Sequence, residues 1–529
     1  MAETKREVER KYEATGETRL PDLTRVPGVS AVVDRGVVEL DAVYYDTPDL
    51  RLAADALTLR RRTGGEDEGW HLKFPVASGI RDEIRAPLAD TLPGELAGLL
   101  RSRTRDAEVV PVVRLRSARD VRHLVDAKGG LLAELSVDTV RAERLLGGAP
   151  GRAPGGAFGG AEAAWTEIEV ELADAEAGTD AGTALLDAVE KRFKKAGIRP
   201  SASASKLARA LAETETETAP HAPVTTPAPG PDLAPGTAGH AVLAYVREQV
   251  DAIVALDPAV RRDLPDAVHQ LRVACRRLRS ALRSYRKVLD RDVTEPVGAE
   301  LKWLAGELGA ARDQEVLTER LRGRIDALPR ALRLGPVRGR LRSWAAVRAR
   351  GGRRRTLAAL DSARYLALLD TLDELLADPP LRKAAARDAR TVLACAVLKD
   401  HARLAARVDR ALALDPGQDR DLALHAARKA AKRARYAAEA AAPALGKPAR
   451  RLAKRVKSVQ SLLGEHQDGV VAREALRELA TQAHAAGESA FTWGLLHGRE
   501  DAEAAAGERD LPAAWARAAA PEIRAALTR

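Results

Sequence analysis

The segment Glu7-Val8-Glu9-Arg10-Lys11, near the N-terminus, shows the pattern from which the first half of the chain can be interpreted. Side chains alternate between the two faces of a β-strand, so Glu7, Glu9 and Lys11 share one face. Charged groups are costly to bury unless they are paired or bind a metal. The pattern therefore predicts either a solvated edge strand or the floor of a site that holds a divalent cation and an anionic substrate together.

The same alternation of acidic residues occurs in a later segment, Trp165–Leu172. Glu167, Glu169 and Glu171 share one face of this predicted strand, and the other face is apolar. Between the two acidic strands, basic residues also recur at strand spacing: Arg60, Arg62, Lys73, Arg114, Arg116 and Arg119. Such an antiparallel sheet predicts a closed barrel with a polar lumen, whose apolar outer face packs under helices. Salt-bridged surface strands are the alternative.

A lumen that contains both signs of charge indicates chemistry on phosphate groups. Carboxylates are the ligands of hard cations such as Mg²⁺ or Mn²⁺. Arginine and lysine bind phosphate oxygens. In phosphoryl transfer, metals neutralise charge and basic residues position the substrate. No pattern points to a covalent nucleophile, so attack by metal-activated water without a phosphoenzyme is expected.

Residues 1–212 are predicted to form mostly strands with a few helices. The helices are expected around Asp22–Val33, at 179–196 and at 203–212. Besides the two acidic strands, the predicted strands are Asp41–Asp46, Leu57–Arg62, Gly69–Pro75, 80–88, 109–126 and 131–145. The strands at 57–62 and 69–75 are expected to pair as a hairpin, and Gly147–Gly160 is expected to be a loop.

The composition excludes several classes of protein. A chain of 529 residues is long enough for about two to four domains. Its two cysteines, Cys275 and Cys395, offer no disulfide framework or zinc spacing, which fits a reducing cytosol. The first residues lack the apolar core of a signal peptide, and no apolar run is long enough to cross a bilayer. A cytoplasmic protein without membrane attachment is expected.

The net charge of +10 is distributed unevenly. Residues 1–236 contain 32 Lys/Arg and 39 Asp/Glu, whereas residues 237–529 contain 54 Lys/Arg and 37 Asp/Glu. A basic half implies a polyanionic partner such as nucleic acid, a membrane surface or polyphosphate. Between the halves, residues 213–236 are rich in Pro, Thr and Ala and predict a flexible linker.

From His240 onward the sequence predicts helices almost throughout, and it contains an internal repeat. The motif His269-x-x-Arg272-x-x-x-Arg276-Arg277-x-Arg279 matches His425-x-x-Arg428-x-x-x-Lys432-Arg433-x-Arg435. Further on, Lys302…Leu308-Gly309…Asp313 matches Lys457…Leu463-Gly464…Asp468. The second half is therefore expected to contain two copies of one helical unit.

Helical geometry places most of the repeated basic residues in one stripe. Positions three, seven and ten after the histidine lie at about 300°, 340° and 280° around the helix, whereas position eight lies apart at about 80°. The stripes are His269, Arg272, Arg276 and Arg279 in the first copy, and His425, Arg428, Lys432 and Arg435 in the second. On the following helix, Lys302 and Asp313 are predicted to share a face, as are Lys457 and Asp468, with each Asp orienting an Arg or a His. A solvated basic face is the alternative, but a stripe that occurs twice favours polyanion binding.

Residues 1–212 resemble the CYTH superfamily, the triphosphate tunnel metalloenzymes. The resemblance rests on Glu7-x-Glu9-x-Lys11, Tyr45-Asp46-Thr47-Pro48, Leu57–Arg62, Gly69-Trp70-His71-Leu72-Lys73 and Glu167-x-Glu169-x-Glu171-Leu172. It implies an eight-stranded antiparallel tunnel that binds triphosphates and hydrolyses tripolyphosphate, thiamine triphosphate or RNA 5′-triphosphate ends, or cyclises ATP. The implied metal ligands are Glu7, Glu9, Asp138, Glu169 and Glu171, with Glu167 on the same face. The implied phosphate contacts are Lys11, Arg60, Arg62, Lys73, Arg116, Arg119 and Lys206, and Glu7, Glu9 and Lys11 are the implied catalytic residues.

Residues 237–510 resemble the CHAD domain, a helical module often fused to CYTH. The resemblance implies an α-helical bundle of two repeats with a basic pore or groove, which binds inorganic polyphosphate and localises to polyphosphate granules. The implied polyphosphate surface consists of His269, Arg272, Arg276, Arg279, Lys302, His425, Arg428, Lys432, Arg433, Arg435 and Lys457. The fold class is therefore expected to be α+β, with a β tunnel at 1–212 and a helical bundle at 237–529.

The sequence leaves several functions open. The leading hypothesis is a metal-dependent triphosphatase tethered to a polyphosphate-binding module, which raises the local concentration of long-chain substrate. The second is a polyphosphate-binding, granule-associated protein without catalysis. Adenylate cyclase or another organic triphosphatase is a further option. Nucleic-acid binding is disfavoured because aromatic residues for base stacking are rare and no nucleic-acid motif occurs.

Overall fold

The structure is a computed structural model that describes residues 3–145, 161–214, 231 and 233–528. The chain divides into two compact units, Met1–Thr226 and Pro227–Arg529. The predicted loop Gly147–Gly160 and most of the predicted linker at 213–236 lie outside the described residues. The predicted α+β class is confirmed, because the first unit contains an antiparallel β-barrel and the second is helical.

Eight strands form the barrel of the first unit. They are β1 Glu3–Ala14, β2 Ala31–Asp46, β3 Thr58–Thr63, β4 Gly69–Ala77, β5 Ile80–Ala86, β6 Val110–Val125, β7 Leu131–Arg144 and β8 Glu162–Leu172. The barrel is closed in the order β1-β5-β4-β3-β2-β6-β7-β8, and every neighbouring pair is antiparallel. Closure leaves no unpaired edge among these strands and fixes which side chains face the lumen.

The helices of the first unit cover the outside of the barrel. They are α1 Arg51–Ala54, α2 Gly94–Thr104, α3 Asp180–Lys195 and α4 Lys206–Glu213. Phe193 of α3 packs edge-on against Tyr12 of β1, with ring centroids 4.7 Å apart. The outward residues of β8, including Ile168 and Val170, are fully buried in the same apolar cluster. The outer face is therefore the hydrophobic core of this unit, and the charged faces of the strands point into the lumen.

The helix predicted around Asp22–Val33 is wrong. The structure has only a short 3-10 helix there, Leu23–Arg25, and β2 already begins at Ala31. Gly28 adopts a positive φ of 90° directly after Pro27, and this pair stops helical structure. The first part of β2 then pairs with β6, from Ala31 opposite Val125 onward.

The second unit consists of twelve helices among the described residues. They are α5 Ala238–Arg261, α6 Ala267–Ser284, α7 Arg291–Glu307, α8 Gly309–Asp326, α9 Val337–Ala349, α10 Gly352–Leu360, α11 Ala363–Ala377, α12 Ala389–Leu412, α13 Gln418–Leu445, α14 Lys447–Ala485, α15 Phe491–Ala519 and α16 Pro521–Ala525. One large apolar cluster, rich in Leu, Val and Ala, joins most of them. Within the part of the chain that the structure describes, no helix is long and apolar enough to cross a membrane.

The two sequence repeats correspond to α6 with α7–α8 and to α13 with α14. In the first copy the second helix is interrupted at Leu308, since α7 ends at Glu307 and α8 begins at Gly309. In the second copy α14 runs without interruption through Leu463 and Gly464. The expectation of a single helix is therefore wrong for Lys302 and Asp313, which lie on α7 and α8, whereas Lys457 and Asp468 do lie on one helix.

Candidate functional site

The barrel encloses a cavity of about 490 Å³ that is lined mainly by charged side chains. The lining residues come from most of the strands and from the N-terminal turn of α4. The structure brings ten of the residues predicted from the sequence to this cavity: Glu7, Glu9, Lys11, Arg60, Arg62, Lys73, Arg119, Glu169, Glu171 and Lys206. Apolar residues cover the outside of the strands, so these charged groups lie in a partly enclosed lumen.

Three carboxylates, those of Asp138, Glu167 and Glu169, lie close together. Asp138 on β7 lies opposite Glu167 on β8, and Glu169 follows two residues later on the same face. One oxygen of each of these three residues lies within 4.8 Å of the others, and all three side chains are buried. Neither Asp138 nor Glu167 is among the described residues that line the cavity itself. The cluster therefore lies behind the lining, with Glu169 at the boundary.

The Lys206 ammonium occupies the centre of this acidic cluster. Its Nζ atom lies 2.9 Å from Asp138, 2.7 Å from Glu167 and 2.6 Å from Glu169. Ser205 positions the lysine, because its hydroxyl accepts a hydrogen bond from the Ala208 amide and caps α4. Burial opposes the charge of Lys206, but the three carboxylates raise its pKa well above the usual value. Lys206 is a predicted phosphate contact, but in the structure its ammonium is bound by three of the predicted metal ligands.

Arg119 binds the same cluster from β6. Its guanidinium makes two hydrogen bonds of 2.7 Å to the Asp138 carboxylate and one of 2.9 Å to Glu169. Burial would raise the pKa of Asp138, but the charges of Lys206 and Arg119 outweigh it and hold that pKa below its usual range. The Asp138 carboxylate therefore favours the ionised form, and two basic residues compensate its charge.

The residues of β1 form the opposite side of the site. Glu7 accepts a hydrogen bond of 2.6 Å from Lys73. Lys11 contacts Glu169 and lies 3.2 Å from Glu9. Burial raises the pKa of Glu7 to about 7, although the Lys73 charge acts in the other direction. Glu171 pairs with Lys5 at 2.8 Å and is more exposed than the other acids. Carboxylates and cations therefore alternate around the lumen.

Two predicted arginines on β3 point into the lumen next to each other. Arg60 lies 3.4 Å from the Tyr44 hydroxyl, and Arg62 forms an ion pair with Asp67. Burial and the adjacent Arg60 charge lower the pKa of Arg62 to about 10. Two guanidinium groups held together in a partly buried lumen favour the binding of an anion.

Glu83 is a buried member of the site that the sequence interpretation missed. It lies opposite Lys73 in the β4–β5 register and is fully buried. Its carboxylate lies 2.9 Å from His71 Nδ1, 3.5 Å from Lys73 Nζ and 3.7 Å from Arg60 Nη2, and it also contacts Arg85. The signal was present in Arg81-x-Glu83-x-Arg85, which has the same charge alternation as β1. Glu83 lies behind the cavity lining, and the residues that do line the cavity and were also missed include Lys5, Arg35, Tyr44, Arg81, Arg85 and Glu134.

Arg116 does not belong to the lumen. Its side chain is 59% exposed, and its guanidinium lies 3.9 Å from the Asp41 carboxylate. Arg114, two residues earlier, also pairs with Asp41, at 2.5 Å. Residues 116 and 119 are three apart on one strand, so they face opposite sides, and only Arg119 points inward. The structure therefore removes Arg116 from the predicted phosphate contacts of the lumen.

In the helical unit, the stripes of the two copies lie side by side on α6 and α13. The Tyr285 hydroxyl at the end of α6 donates a hydrogen bond of 2.6 Å to the Ala437 carbonyl of α13. The positive charges of Arg428 and Arg276, and to a smaller extent Arg272, lower the pKa of Lys432, whereas Asp468 acts in the other direction, so charges of both stripes act on this lysine. Burial, followed by the Arg428 and Arg276 charges, lowers the pKa of Lys432 to about 8. The structure therefore brings the predicted stripes together.

The predicted pairing of aspartates with arginines is confirmed. Arg272 makes two hydrogen bonds to Asp313, of 2.8 and 3.1 Å. In the second copy, Arg428 lies 3.6 Å from Asp468. Gly309 allows the first pair to form, because a Cβ atom there would lie 2.8 Å from the Arg272 guanidinium. In the second copy, a Cβ atom at Gly464 would lie 3.8 Å from Arg428, so the close approach of glycine and arginine is confined to the first copy.

Arg433 does not lie on the stripe. Its guanidinium is 3.0 Å from Asp400 of α12 and donates a hydrogen bond of 2.7 Å to the Arg283 carbonyl. Residue 433 lies about 80° from His425 around the helix, so it faces the neighbouring helices. The structure therefore removes Arg433 from the predicted polyphosphate surface.

The remaining predicted residues differ in their surroundings. Arg435 pairs with Glu439 at 3.3 Å and lies 4.6 Å from the centre of the Tyr436 ring. His269, Lys302 and Lys457 are exposed, and His425, Arg276 and Arg279 are half-buried. Burial lowers the pKa of both His269 and His425. Lys429 adds to this lowering at His425, and Arg276 adds to it at His269, where Asp266 acts in the other direction.

Comparison with known proteins gives matches to both units. The family model of the CYTH domain matches residues 5–209, and that of the CHAD domain matches residues 244–477. The uncharacterized protein MT2285 of Mycobacterium tuberculosis (strain CDC 1551 / Oshkosh) is 39% identical over 498 residues, which are 93% of this chain and 92% of that protein.

Two solved structures resemble parts of the chain. PptA from Streptomyces chartreusis is 25% identical, with a TM-score of 0.46, over 53% of this chain and 99% of that chain. The CHAD domain from the plant Ricinus communis is 28% identical, with a TM-score of 0.42, over 55% of this chain and 96% of that chain.

Proposed function

Because this chain belongs to the family of proteins that contain a CYTH domain followed by a CHAD domain, we propose that its barrel hydrolyses inorganic triphosphate or polyphosphate with a divalent metal ion. On the same proposal, the helical unit binds a polyphosphate chain through the stripes on α6 and α13. The two activities use separate sets of residues, so each can be tested alone.

The position of Lys206 Nζ is the observation that supports metal binding most directly. The ammonium lies within 2.9 Å of three buried carboxylates, so a cation is already stabilised at this position. Oxygen donors of this kind suit Mg²⁺ or Mn²⁺. The residues that would hold the ion are Asp138, Glu167 and Glu169, with Glu7, Glu9 and Glu171 as further carboxylates of the lumen. When bound, such an ion neutralises phosphate charge and activates water.

Four basic residues are placed to bind the phosphate groups. Arg60 and Arg62 lie side by side on β3, and Lys73 and Arg119 face the same cavity. Lys73 is bound to Glu7, and Arg119 to Asp138. Both cations are therefore already desolvated and held at the cavity wall. An entering phosphate exchanges carboxylate contacts for phosphate contacts, which keeps each cation paired.

The proposed reaction is a hydrolysis without a covalent enzyme intermediate. The oxygen of a water molecule attacks the terminal phosphorus, and the bond from this phosphorus to the bridging oxygen breaks. The bridging oxygen leaves with the electron pair, and the water proton passes to solvent. The products are orthophosphate and a chain shorter by one phosphate. The basic residues contribute by holding the chain and stabilising the charge that develops on the phosphoryl oxygens.

Release of orthophosphate from a substrate panel tests the proposal. The full chain is incubated with tripolyphosphate, long polyphosphate, ATP or thiamine triphosphate, in Mg²⁺ or Mn²⁺. We expect release from tripolyphosphate or polyphosphate and its loss in Glu9→Gln. Glu190→Gln is the matched control, because Glu190 pairs with Arg10 on the outside of the barrel. Absence of release by the wild type, or equal release by Glu9→Gln, would make the barrel a binding protein. Cyclic AMP as the main product from ATP would favour a cyclase.

Concentration of positive charge around Lys432 supports polyphosphate binding by the helical unit. Like charges at short range are unfavourable unless an anion neutralises them. The same surroundings would attract any polyanion, so RNA is the competitor to test. We expect polyphosphate to displace RNA from the full chain at fixed salt, where counterion effects are equal. Displacement of polyphosphate by an equal phosphate concentration of RNA would favour nucleic-acid binding instead.

A further inference from the structure

We propose that Asp421, His466 and Glu508 form a second metal site, which binds a divalent first-row transition ion in the helical unit. One donor atom from each residue lies within 4.8 Å of the others. The His466 Nε2 atom lies 3.2 Å from Asp421 Oδ1 and 3.0 Å from Glu508 Oε1. One imidazole nitrogen carries either one proton or one lone pair, so it cannot bond fully to both carboxylates. The imidazole nitrogen of His466 and one carboxylate oxygen each of Asp421 and Glu508 therefore converge on one position, as the ligands of a metal ion do.

The surrounding residues hold this arrangement in place. The three ligands come from α13, α14 and α15, so each is fixed by a different packed helix. The outer oxygen of Asp421 lies 3.4 Å from Arg473, and that of Glu508 lies 2.9 Å from Arg420. Each arginine therefore turns one carboxylate oxygen away and leaves the other directed at His466. Orientation of ligands by such outer hydrogen bonds is typical of metal sites.

The donor set indicates the kind of ion. One imidazole with two carboxylates favours ions of the Mn²⁺ to Zn²⁺ series over Mg²⁺, which prefers oxygen donors alone. His466 is 5% exposed, whereas Asp421 is 29% exposed, so the cluster is open to solvent on the Asp421 side. Three protein ligands leave at least one coordination position for water or another small ligand.

The site is specific to the second sequence copy. The repeat offset places Pro265 at the position equivalent to Asp421 and Ala311 at that of His466, and neither residue can bind a metal. Asp421 lies one helical turn before His425 on α13, so the ion would lie at the start of the second basic stripe. The inference does not depend on catalysis by the barrel, since it uses none of the barrel residues.

A His466 side chain that merely pairs with the two carboxylates is the competing explanation, and Co²⁺ binding separates the two. The full chain is titrated with Co²⁺, which absorbs visible light through d–d transitions that depend on its ligands. Bound metal is counted after removal of free ion. We expect one Co²⁺ per chain to be lost, together with its absorption band, in His466→Gln, Asp421→Asn and Glu508→Gln. The variant His484→Gln, which changes an exposed histidine on the same helix, should keep both.

Unchanged Co²⁺ content and spectrum in His466→Gln would overturn the proposal, as would displacement of this Co²⁺ by an equal concentration of Mg²⁺. Thermal unfolding gives a second readout. Ligands that bind only the folded state raise its stability, so Co²⁺ and Zn²⁺ should raise the midpoint of the wild type more than that of Asp421→Asn. Asp421 is the most exposed of the three ligands, so Asp421→Asn should fold even if the buried substitution His466→Gln prevents folding. Equal midpoint shifts in wild type and Asp421→Asn would support the ion-pair explanation.

Discussion

The Nζ atom of Lys206 lies 2.6 Å from a carboxylate oxygen of Glu169, and both side chains are buried. Lys206 follows the residue that caps α4, whereas Glu169 is in the middle of β8, so the pair joins a helix to the barrel wall. The same ammonium contacts Asp138 and Glu167. On the proposed function, a metal ion that enters this cluster would displace Lys206 from the three carboxylates, and we expect the displaced lysine to contact phosphate.

Replacement of Lys206 tests this competition. Lys206→Ala leaves three buried carboxylates with Arg119 and Lys11 as the remaining counter-charges, and loss of one partner of a buried pair costs about 3–5 kcal/mol. We expect the variant to unfold more easily than the wild type without metal and to be stabilised more by Mg²⁺ or Mn²⁺. Lys206→Arg, which keeps the charge, is the control. Chemical denaturation with and without metal measures both effects, and equal stabilisation of variant and wild type by metal would contradict the competition.

Two arginines on β6 form a matched pair for testing the phosphate contacts. Arg119→Ala removes the cation that binds Asp138 and Glu169 in the lumen. We expect it to lower kcat/KM for tripolyphosphate by at least about 10²-fold, since loss of one charge-stabilising donor costs about that much. Arg116→Ala removes an outward residue and should stay within about twofold of the wild type, because exposed ion pairs contribute little. Initial rates measure both, and a larger loss in Arg116→Ala would place Arg116 in the site after all.

Polyphosphate binding should weaken as the pH rises from 7 to 9. The pKa of Lys432 is lowered to about 8, so this lysine loses its charge within that interval, whereas a bound phosphate chain raises the pKa and favours the charged form. Binding should therefore take up protons near pH 8. Calorimetry in buffers of different ionisation enthalpy measures this uptake. In Lys432→Arg the charge persists throughout, so the pH dependence should flatten, and an equally steep dependence in that variant would exclude Lys432 as its source.

The same titration affects folding in the opposite direction. The folded pKa of Lys432 lies below the unfolded value, so the unfolded chain binds more protons between about pH 8 and 10. The contribution of this group to stability therefore rises with pH through that interval, while polyphosphate affinity falls. A comparison of urea unfolding at pH 7.5 and pH 9, in the wild type and in Lys432→Arg, should show this rise in the wild type alone.

Arg433 and Arg428 should separate stability from binding. Arg433 bonds to Asp400 and to the Arg283 carbonyl, so Arg433→Ala leaves the nearly buried Asp400 with less compensation. We expect it to lower stability by about 1–3 kcal/mol with little change in polyphosphate affinity. Arg428→Ala should do the reverse and weaken affinity at least about tenfold, since it removes a charge beside Lys432. Denaturant midpoints and polyphosphate titrations on both variants test this, and equal loss of affinity in the two would return Arg433 to the binding surface.

Much of the barrel could be predicted because its charge pattern has a period of two. Glu167, Glu169 and Glu171 alternate with apolar residues, which fixes both the strand and its inward face. The same rule applied to 80–88 would have found Glu83. It could not decide the face of β6, since Arg116 and Arg119 have opposite parity and only pairing with β2 and β7 shows which one points inward.

The errors in the remaining elements also have physical causes. The local pattern at Asp22–Val33 predicts a helix, yet the residues from Ala31 onward form a strand through long-range pairing with β6, which no local pattern reports. The inward turn of Arg433 depends on Asp400, a residue 33 positions earlier in the chain on another helix. Helix periodicity placed Arg433 off the stripe, but the identity of its partner needed the tertiary structure.

The order in which the barrel strands pair has a consequence for synthesis on the ribosome. β1 is translated first, yet it pairs with β5 through Glu3–Val8 and with β8 through Glu9–Ala14. At roughly 5–20 residues per second, β8 emerges roughly 10–30 s after β1. During that time the N-terminal strand has no second neighbour, and a nascent chain that stops before β8 contains Glu7 and Glu9 without Glu167 and Glu169. Barrel closure and assembly of the acidic site are therefore one late event, completed only after the eighth strand has left the exit tunnel.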